Sequence, residues 1–337
     1  MVLGGWLIAK NRIFDQSSPP LSLSINSQLP TINLLVDWLQ QIINGIGLGA
    51  IYALIALGYT MVYGVLRFIN FAHSDVLMLG AFSAFYIAPK VEKMIGSQSV
   101  VGCIMVFVIA AGLCACLGML IERLAYRPLR NRPKLTVLIT AIGVSLLIEF
   151  TAQNEKVFGA SPQPFPKLLP ERSMHFGKII LSSNDLLTVF VTAILLAGMW
   201  FIVQKTRIGI AMRAVSYNQQ AALLMGVPVN RIISFTFGLG SALAAIAGIL
   251  YAIKAPGIEP LMGVQPGLRA FVAAVLGGIG NLPGAVLGGI ILGLLETIAG
   301  GIPGLSNYRD AIAFGILILI LLLKPAGLLG RSSVEKV

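Results

Sequence analysis

The sequence is short of charge. Only 11% of its 337 residues are Asp, Glu, Lys or Arg, whereas soluble domains carry roughly 25%. Two histidines, His73 and His175, are the entire imidazole complement, and the three cysteines, Cys103, Cys114 and Cys116, lie in one apolar run. So few ligands at such spacing give neither a metal cage nor a paired disulfide framework. No H-E-x-x-H, G-x-S-x-G or G-x-x-x-x-G-K-[ST] occurs, so no catalytic set is assembled and the chain should not hydrolyse ATP itself. Polar tracts and a glycine period are missing too, which excludes disorder and a collagen-like repeat.

What remains is apolar: 57% of residues are hydrophobic, 37 more are glycine, and mean hydropathy is +0.89. This is the composition of a protein whose solvent is a bilayer, with room for about eight spans of roughly 20 residues. Uninterrupted stretches place them near 42–66, 76–88, 100–121, 135–152, 186–203, 232–252, 268–300 and 311–329. The fold class expected is all-α, a polytopic integral membrane protein with broken or re-entrant segments. Arg269 to Gly301 is too long for one span, and Gly277-Gly278-Ile279-Gly280-Asn281-Leu282-Pro283-Gly284 at its centre breaks helices. The short piece at 76–88, preceded by Asn70-Phe71-Ala72-His73-Ser74-Asp75, reads as a second interrupted element.

A net charge of +11 would suggest nucleic acid in a soluble chain; here it marks cytoplasmic loops, and no nucleic-acid partner is expected. Arg123, Arg127, Arg130, Arg132 and Lys134 crowd one loop, and Lys205, Arg207, Arg213 and Arg231 another. Both should face the cytoplasm, with 153–185 outside. Counting 268–300 as two passes places the Lys324, Arg331 and Lys336 tail inside as well. Residues 1–37 read as a poorly ordered or interfacial extension without a cleaved signal, because Lys10 and Arg12 follow a short apolar start rather than precede it. Gly45/Gly49, Ala244/Gly248, Gly284/Gly288 and Gly289/Gly293 have the small-xxx-small spacing that lets helix backbones approach in lipid.

The cytoplasmic loop Gly209 to Pro228 holds the most informative pattern. Ser216 and Gln219 fit a capping box, and Gly226 with Pro228 fits a helix stop. The expected helix exposes alanines and leucines that a loop has no core to bury. It either lies on the bilayer or docks on another protein. Asn44, Tyr52, Thr60, Asn70, His73 and Asp75 lie in or beside the first two apolar elements, where polar groups need partners or water. They are candidates for a pathway lining, together with the helix-break residues Gly280, Asn281 and Pro283. The alternative for Asn70, His73 and Asp75 is that they cap and pin the broken helix near the cytoplasmic surface. Glu149 and Glu296 are expected in structural pairs or at an interface, and Glu122 in a solvated loop.

Gln220-Ala221-Ala222 followed by Gly226 resembles the E-A-A-x-x-x-G loop of ABC-importer permeases, with Gln in place of Glu. Asn70 to Asp75, Glu122-Arg123-Leu124-Ala125-Tyr126-Arg127-Pro128 and Ala273 to Ala285 resemble signature stretches of the branched-chain amino-acid permease family of LivH type. Lys324-Pro325-Ala326-Gly327-Leu328-Leu329-Gly330 with Val334-Glu335-Lys336-Val337 is similar as well. The likeness runs from about Trp38 to the C-terminus and makes 38–337 one permease domain. It implies a permease subunit of an ATP-driven importer in the bacterial inner membrane, moving branched-chain or other neutral amino acids. A second homologous permease subunit, two ATP-binding subunits carrying ATP and Mg, and an extracytoplasmic binding protein would be its partners, with no cofactor on this chain. It identifies 216–226 as the coupling helix, with Ser216, Gln220, Ala221, Ala222, Leu223 and Gly226 at the contact. A urea or short-amide permease would look alike. A passive channel would need no ATPase, and a membrane enzyme would need more clustered His, Asp or Glu than the sequence has.

Overall fold

The computed structural model describes residues 30–330 except 131, 178 and 303. Most of the 1–37 extension and the 331–337 tail therefore lie outside the described residues. The chain divides into two units after Leu35, and the contacts below belong to Val36–Val337.

Helix follows helix. α1 (Pro30–Leu66), α2 (His73–Ile95) and α3 (Val100–Ile121) come first. α3 continues through a widened turn, Glu122–Tyr126, in which Arg127 N–H bonds Glu122 C=O, and then a 3₁₀ turn, Arg127–Leu129. α4 (Lys134–Ala152), α5 (Ser183–Lys205), α6 (Arg207–Tyr217), α7 (Gln219–Leu224) and α8 (Val229–Lys254) follow, then α9 (Val264–Gly277), α10 (Leu282–Gly301) and α11 (Arg309–Leu323). Among the described residues strand is confined to two small antiparallel pairs. β1 (Gln163–Pro164) joins β4 (Gly257–Ile258), and β2 (Ser173–Phe176) joins β3 (Ile179–Ser182).

Seven helical stretches among the described residues are long and apolar enough to cross a membrane: Val36–Leu66, Val100–Leu129, Lys134–Ala152, Ser183–Lys205, Val229–Lys254, Leu282–Gly301 and Ser306–Leu323. The sequence reading of about eight differs at two elements. α2 is longer than its apolar run because Lys90, Glu92 and Lys93 extend it, and it is packed against α3 and α8. α9 has 14 residues, about 21 Å at 1.5 Å per residue and short of a hydrocarbon core of about 30 Å. The run 268–300 is thus two helices, parted at Gly278 to Asn281, where Gly278 and Gly280 take φ of 104° and 93°. Those angles are open to glycine and costly for other residues.

The ends of the bundle sort by charge. Arg67 reaches the Ser216 carbonyl (3.4 Å), Arg130 reaches Asn230 (2.8 Å), and Asn281 reaches the Leu329 carbonyl (2.7 Å). At the other end Phe165 N–H bonds Pro256 C=O (2.7 Å), Lys254 pairs with Asp185 (2.8 Å), and Gln40 bonds both backbone groups of Ile180. The first end carries the basic loops and is cytoplasmic by the positive-inside rule.

Within the bundle, α1 and α8 are inner helices, 72% buried over their apolar windows, while α11 is 6% buried. Lipid tails are as apolar as leucine, so close backbone packing has to do what water exclusion does in soluble cores. The small-residue spacings supply it. A Cβ at Gly49 would lie 2.8 Å from Ile290 Cα, and one at Gly289 would lie 2.5 Å from the Ala53 nitrogen, so α1 and α10 touch backbone to backbone. Gly248 meets the Leu77 carbonyl in the same way, and Gly288 that of Ala273.

Gly289→Ala should therefore destabilise the detergent-solubilised protein by roughly 1–3 kcal/mol in thermal unfolding. Gly112→Ala, at a site with nothing within 4 Å, should be neutral or slightly stabilising. In a background lacking Cys103, Cys114 and Cys116, an impermeant thiol reagent applied to spheroplasts should label Ser161→Cys and spare Arg132→Cys. The reverse pattern would invert the orientation.

Candidate translocation and coupling site

The cytoplasmic loop helix is two helices. Thr206 caps α6, its hydroxyl accepting from Gly209 N–H at 3.1 Å. α6 runs on to Tyr217, and Asn218 starts α7, accepting from Ala221 N–H at 3.0 Å. The Ser216/Gln219 capping box does not form. Ser216 donates instead to the Gly64 carbonyl, and Gln219 Nε2 to the Val65 carbonyl at 3.1 Å, so both side chains fasten the α6/α7 joint to the last turn of α1. The stop is as read from the sequence. Gly226 has φ +79°, and the pairs Gly226 N–H to Leu223 C=O and Val227 N–H to Ala222 C=O, both 3.0 Å, make a Schellman ending. Ala222 is buried, Gln220 and Ala221 are exposed, and Leu223, Leu224 and Met225 are 63, 88 and 84% exposed. α7 thus displays apolar side chains that nothing in the described chain covers.

Beside this joint lies a cavity of about 450 Å³ whose lining includes Thr60, Arg213, Ser216, Gly280, Asn281 and Pro283. Pathway, helix-break and coupling candidates thus converge on one space. Thr60 is buried, and its hydroxyl has no hydrogen-bond partner among the described residues. Asn281 caps α10, accepting from Gly284 N–H (3.4 Å) while donating to Leu329. Arg213 donates to the Val203 carbonyl.

The remaining candidates lie elsewhere. Tyr52 donates to Glu296 (2.7 Å), and Arg269 pairs with Glu296 (2.6 Å) and Asp310 (2.8 Å), joining α1, α9, α10 and α11 in one network that runs from buried Tyr52 and Glu296 to exposed Asp310. Asn44 accepts from Gln40 (3.0 Å). Asn70 accepts from the Tyr126 hydroxyl (2.6 Å), and Asp75 from Ser145 (2.6 Å). His73 is buried over Gly58, 4.7 Å from the Tyr59 ring, with its Nε2 unpartnered among the described residues. The idea that these residues cap α2 is corrected: its first turn has no side-chain cap, because Asn70 and Asp75 are engaged by α4 and the turn after α3. They pin the broken element without capping it.

Glu122 is also corrected from a solvated loop to a fully buried carboxylate, held by Arg130 (2.5 Å) and Ser234 (2.5 Å). Burial pulls the Arg130 guanidinium below its ordinary value, and the Glu122 carboxylate opposes the shift. Arg269 and Asp310 escaped the sequence reading because each stands at the border of an apolar run, where a charge reads as a span end.

An apolar bundle with a broken inner helix, a cavity at its basic end and a displayed helix beside it define a polytopic membrane permease. The chain belongs to the family described as the permease component of the branched-chain amino acid transport system, whose model matches residues 41–321. It is 41% identical over 310 residues to the high-affinity branched-chain amino acid transport permease BraD of Pseudomonas aeruginosa, covering 90% of this chain and 99% of that one. It is 39% identical over 309 residues to LivH of Escherichia coli K12, 89% and 98% of the two chains. A probable LivH of Methanocaldococcus jannaschii is 29% identical over 252 residues. The protein is a multi-pass transport subunit of the inner membrane, not an enzyme.

Removing one partner from a buried ion pair leaves an uncompensated charge, at a cost of roughly 3–5 kcal/mol. Arg269→Gln should lower the thermal unfolding midpoint strongly, and Arg269→Gln with Glu296→Gln should recover much of the loss.

Proposed function

We propose that this chain is one of the two translocating subunits of an ATP-driven importer of branched-chain amino acids, with α7 as its coupling helix. The cargo follows from the transport systems to which the relatives belong; the observation that carries the coupling is α7 itself. Its apolar side chains face outward, while Ser216 and Gln219 bind it to the end of α1 through backbone carbonyls. Such a helix suits a groove on a partner. The partners in this reading are a second homologous permease, two ATP-binding subunits that carry ATP and Mg, and a binding protein outside. Residues 38–337 form the permease domain, and 1–37 an extension to it.

Movement of α7 pulls first on Gly64 and Val65. α1 then passes it to α10 through the glycine contact, and α10 begins at the Gly278 to Asn281 break that lines the cavity. Displacing α7 therefore changes the cavity. The cavity, with Thr60 unpartnered, is the cytoplasmic end of the pathway.

Gly226→Val tests the assignment. A β-branched residue at φ +79° should fray the last turn of a six-residue helix that cannot hold itself. In proteoliposomes holding the whole transporter, ATP-dependent uptake of leucine should fall at least about tenfold, with normal amounts in the membrane and ATPase association weakened or hydrolysis uncoupled. Normal uptake with the ATPase bound would return α7 to the bilayer surface.

A further inference from the structure

A second cavity, about 1,120 Å³, lies between the cytoplasmic turns of α3 and α8, and its walls include Arg123, Arg127, Arg130 and Arg231 but no acidic side chain. Arg130 is engaged with Glu122 and Asn230. The other three are exposed and form no ion pair among the described residues. Their depth matters. Arg123 stands on the turn that prolongs α3, and Arg231 in the first turn of α8, so the guanidiniums sit on the ends of the spans and not on a projecting loop. That is the level of lipid headgroups.

The membrane side of the groove is apolar. Met119 and Phe235 line it, each 36% exposed, and Leu120 and Leu124, 49% and 67% exposed, continue the same surface along α3. Cationic at one wall and continuous with the lipid-facing surface at the other, the groove matches an amphiphile with an anionic head. An acidic protein segment would use the arginines but leave the apolar wall uncovered. Leu224 and Met225, the side chains on α7 that suit a protein partner, are not among those that line the groove.

We infer that this groove holds an anionic phospholipid, its phosphate against Arg123, Arg127 and Arg231 and its acyl chains along Met119 and Phe235. Gln219, Gln220 and Leu223 of α7 border the same space. A bound lipid therefore braces the inner flank of α7, and the inference stands whether or not α7 couples to an ATPase.

The intact transporter, delipidated in mild detergent, would be offered phosphatidylglycerol or phosphatidylcholine with the same acyl chains and examined by native mass spectrometry. Wild type should retain phosphatidylglycerol in preference. R123Q/R127Q/R231Q should weaken that retention at least about tenfold, while R172Q in the opposite loop should not. Raising salt from about 0.1 to about 1 M should abolish the preference in wild type without any substitution. Equal retention of the two lipids by wild type, or undiminished phosphatidylglycerol on the triple variant, would overturn the site. So would loss of the ATP-binding subunits from the triple variant with lipid retention unchanged, which would give the groove to a protein.

Discussion

The contact between α1 and α10 is the constraint on which the rest of the arrangement depends. Gly45 and Gly49 face Leu294 and Ile290, while Gly289 and Gly293 face Ala53 and Gly49, so the two backbones meet with only the Thr297, Leu294 and Ala53 side chains beside them. Where the surrounding solvent is hydrocarbon, burying leucine gains little, and helices associate through dispersion between closely approaching backbones. Once that seam is set, Tyr52 on α1 comes within reach of Glu296 on α10, and the start of α10 comes beside the last turns of α1. The buried ionic network and the cytoplasmic cavity are both consequences of it.

Polar groups inside the bundle divide into two kinds. Arg269 with Glu296, Glu122 with Arg130 and Ser234, and Asp75 with Ser145 are satisfied and join distant parts of the chain. Such sets resist rearrangement, since parting them strands a charge in a medium that cannot solvate it. The cavity beside α7 has a different chemistry: an unpartnered Thr60 hydroxyl, glycine backbone at the helix break, and Arg213, Ser216 and Asn281 held by backbone carbonyls and not by ion pairs. The molecule is stiff where its charges are buried and adjustable at the cytoplasmic mouth.

Much of this was legible in the sequence because lipid simplifies the code. Span-length runs, basic loops and glycines four apart each have one physical meaning in a bilayer, and Gly277 to Gly284 could not continue a helix. The misreadings share a cause. Ser216 had the right spacing for a cap, but its hydroxyl is taken by Gly64 on another helix, so Asn218 caps in its place. Glu122 looked solvated because its partner Ser234 lies far along the chain. Arg269 looked like a boundary because its partners Tyr52 (3.2 Å), Glu296 and Asp310 come from three other helices. Local rules read local hydrogen bonds, and these side chains are spent on tertiary ones.

The carbonyls at the end of α9 show how such long-range satisfaction orders events in time. Leu276 and Gly277 receive their hydrogen bonds from Leu328 and Leu329, at 2.8 and 3.0 Å. A helix that stops leaves carbonyl acceptors that its own continuation cannot serve. During synthesis, α9, α10 and α11 are all made before those donors leave the ribosome. The break at Gly278 thus stays chemically open through most of biogenesis, and the segment that closes it acts as a clasp fastened last.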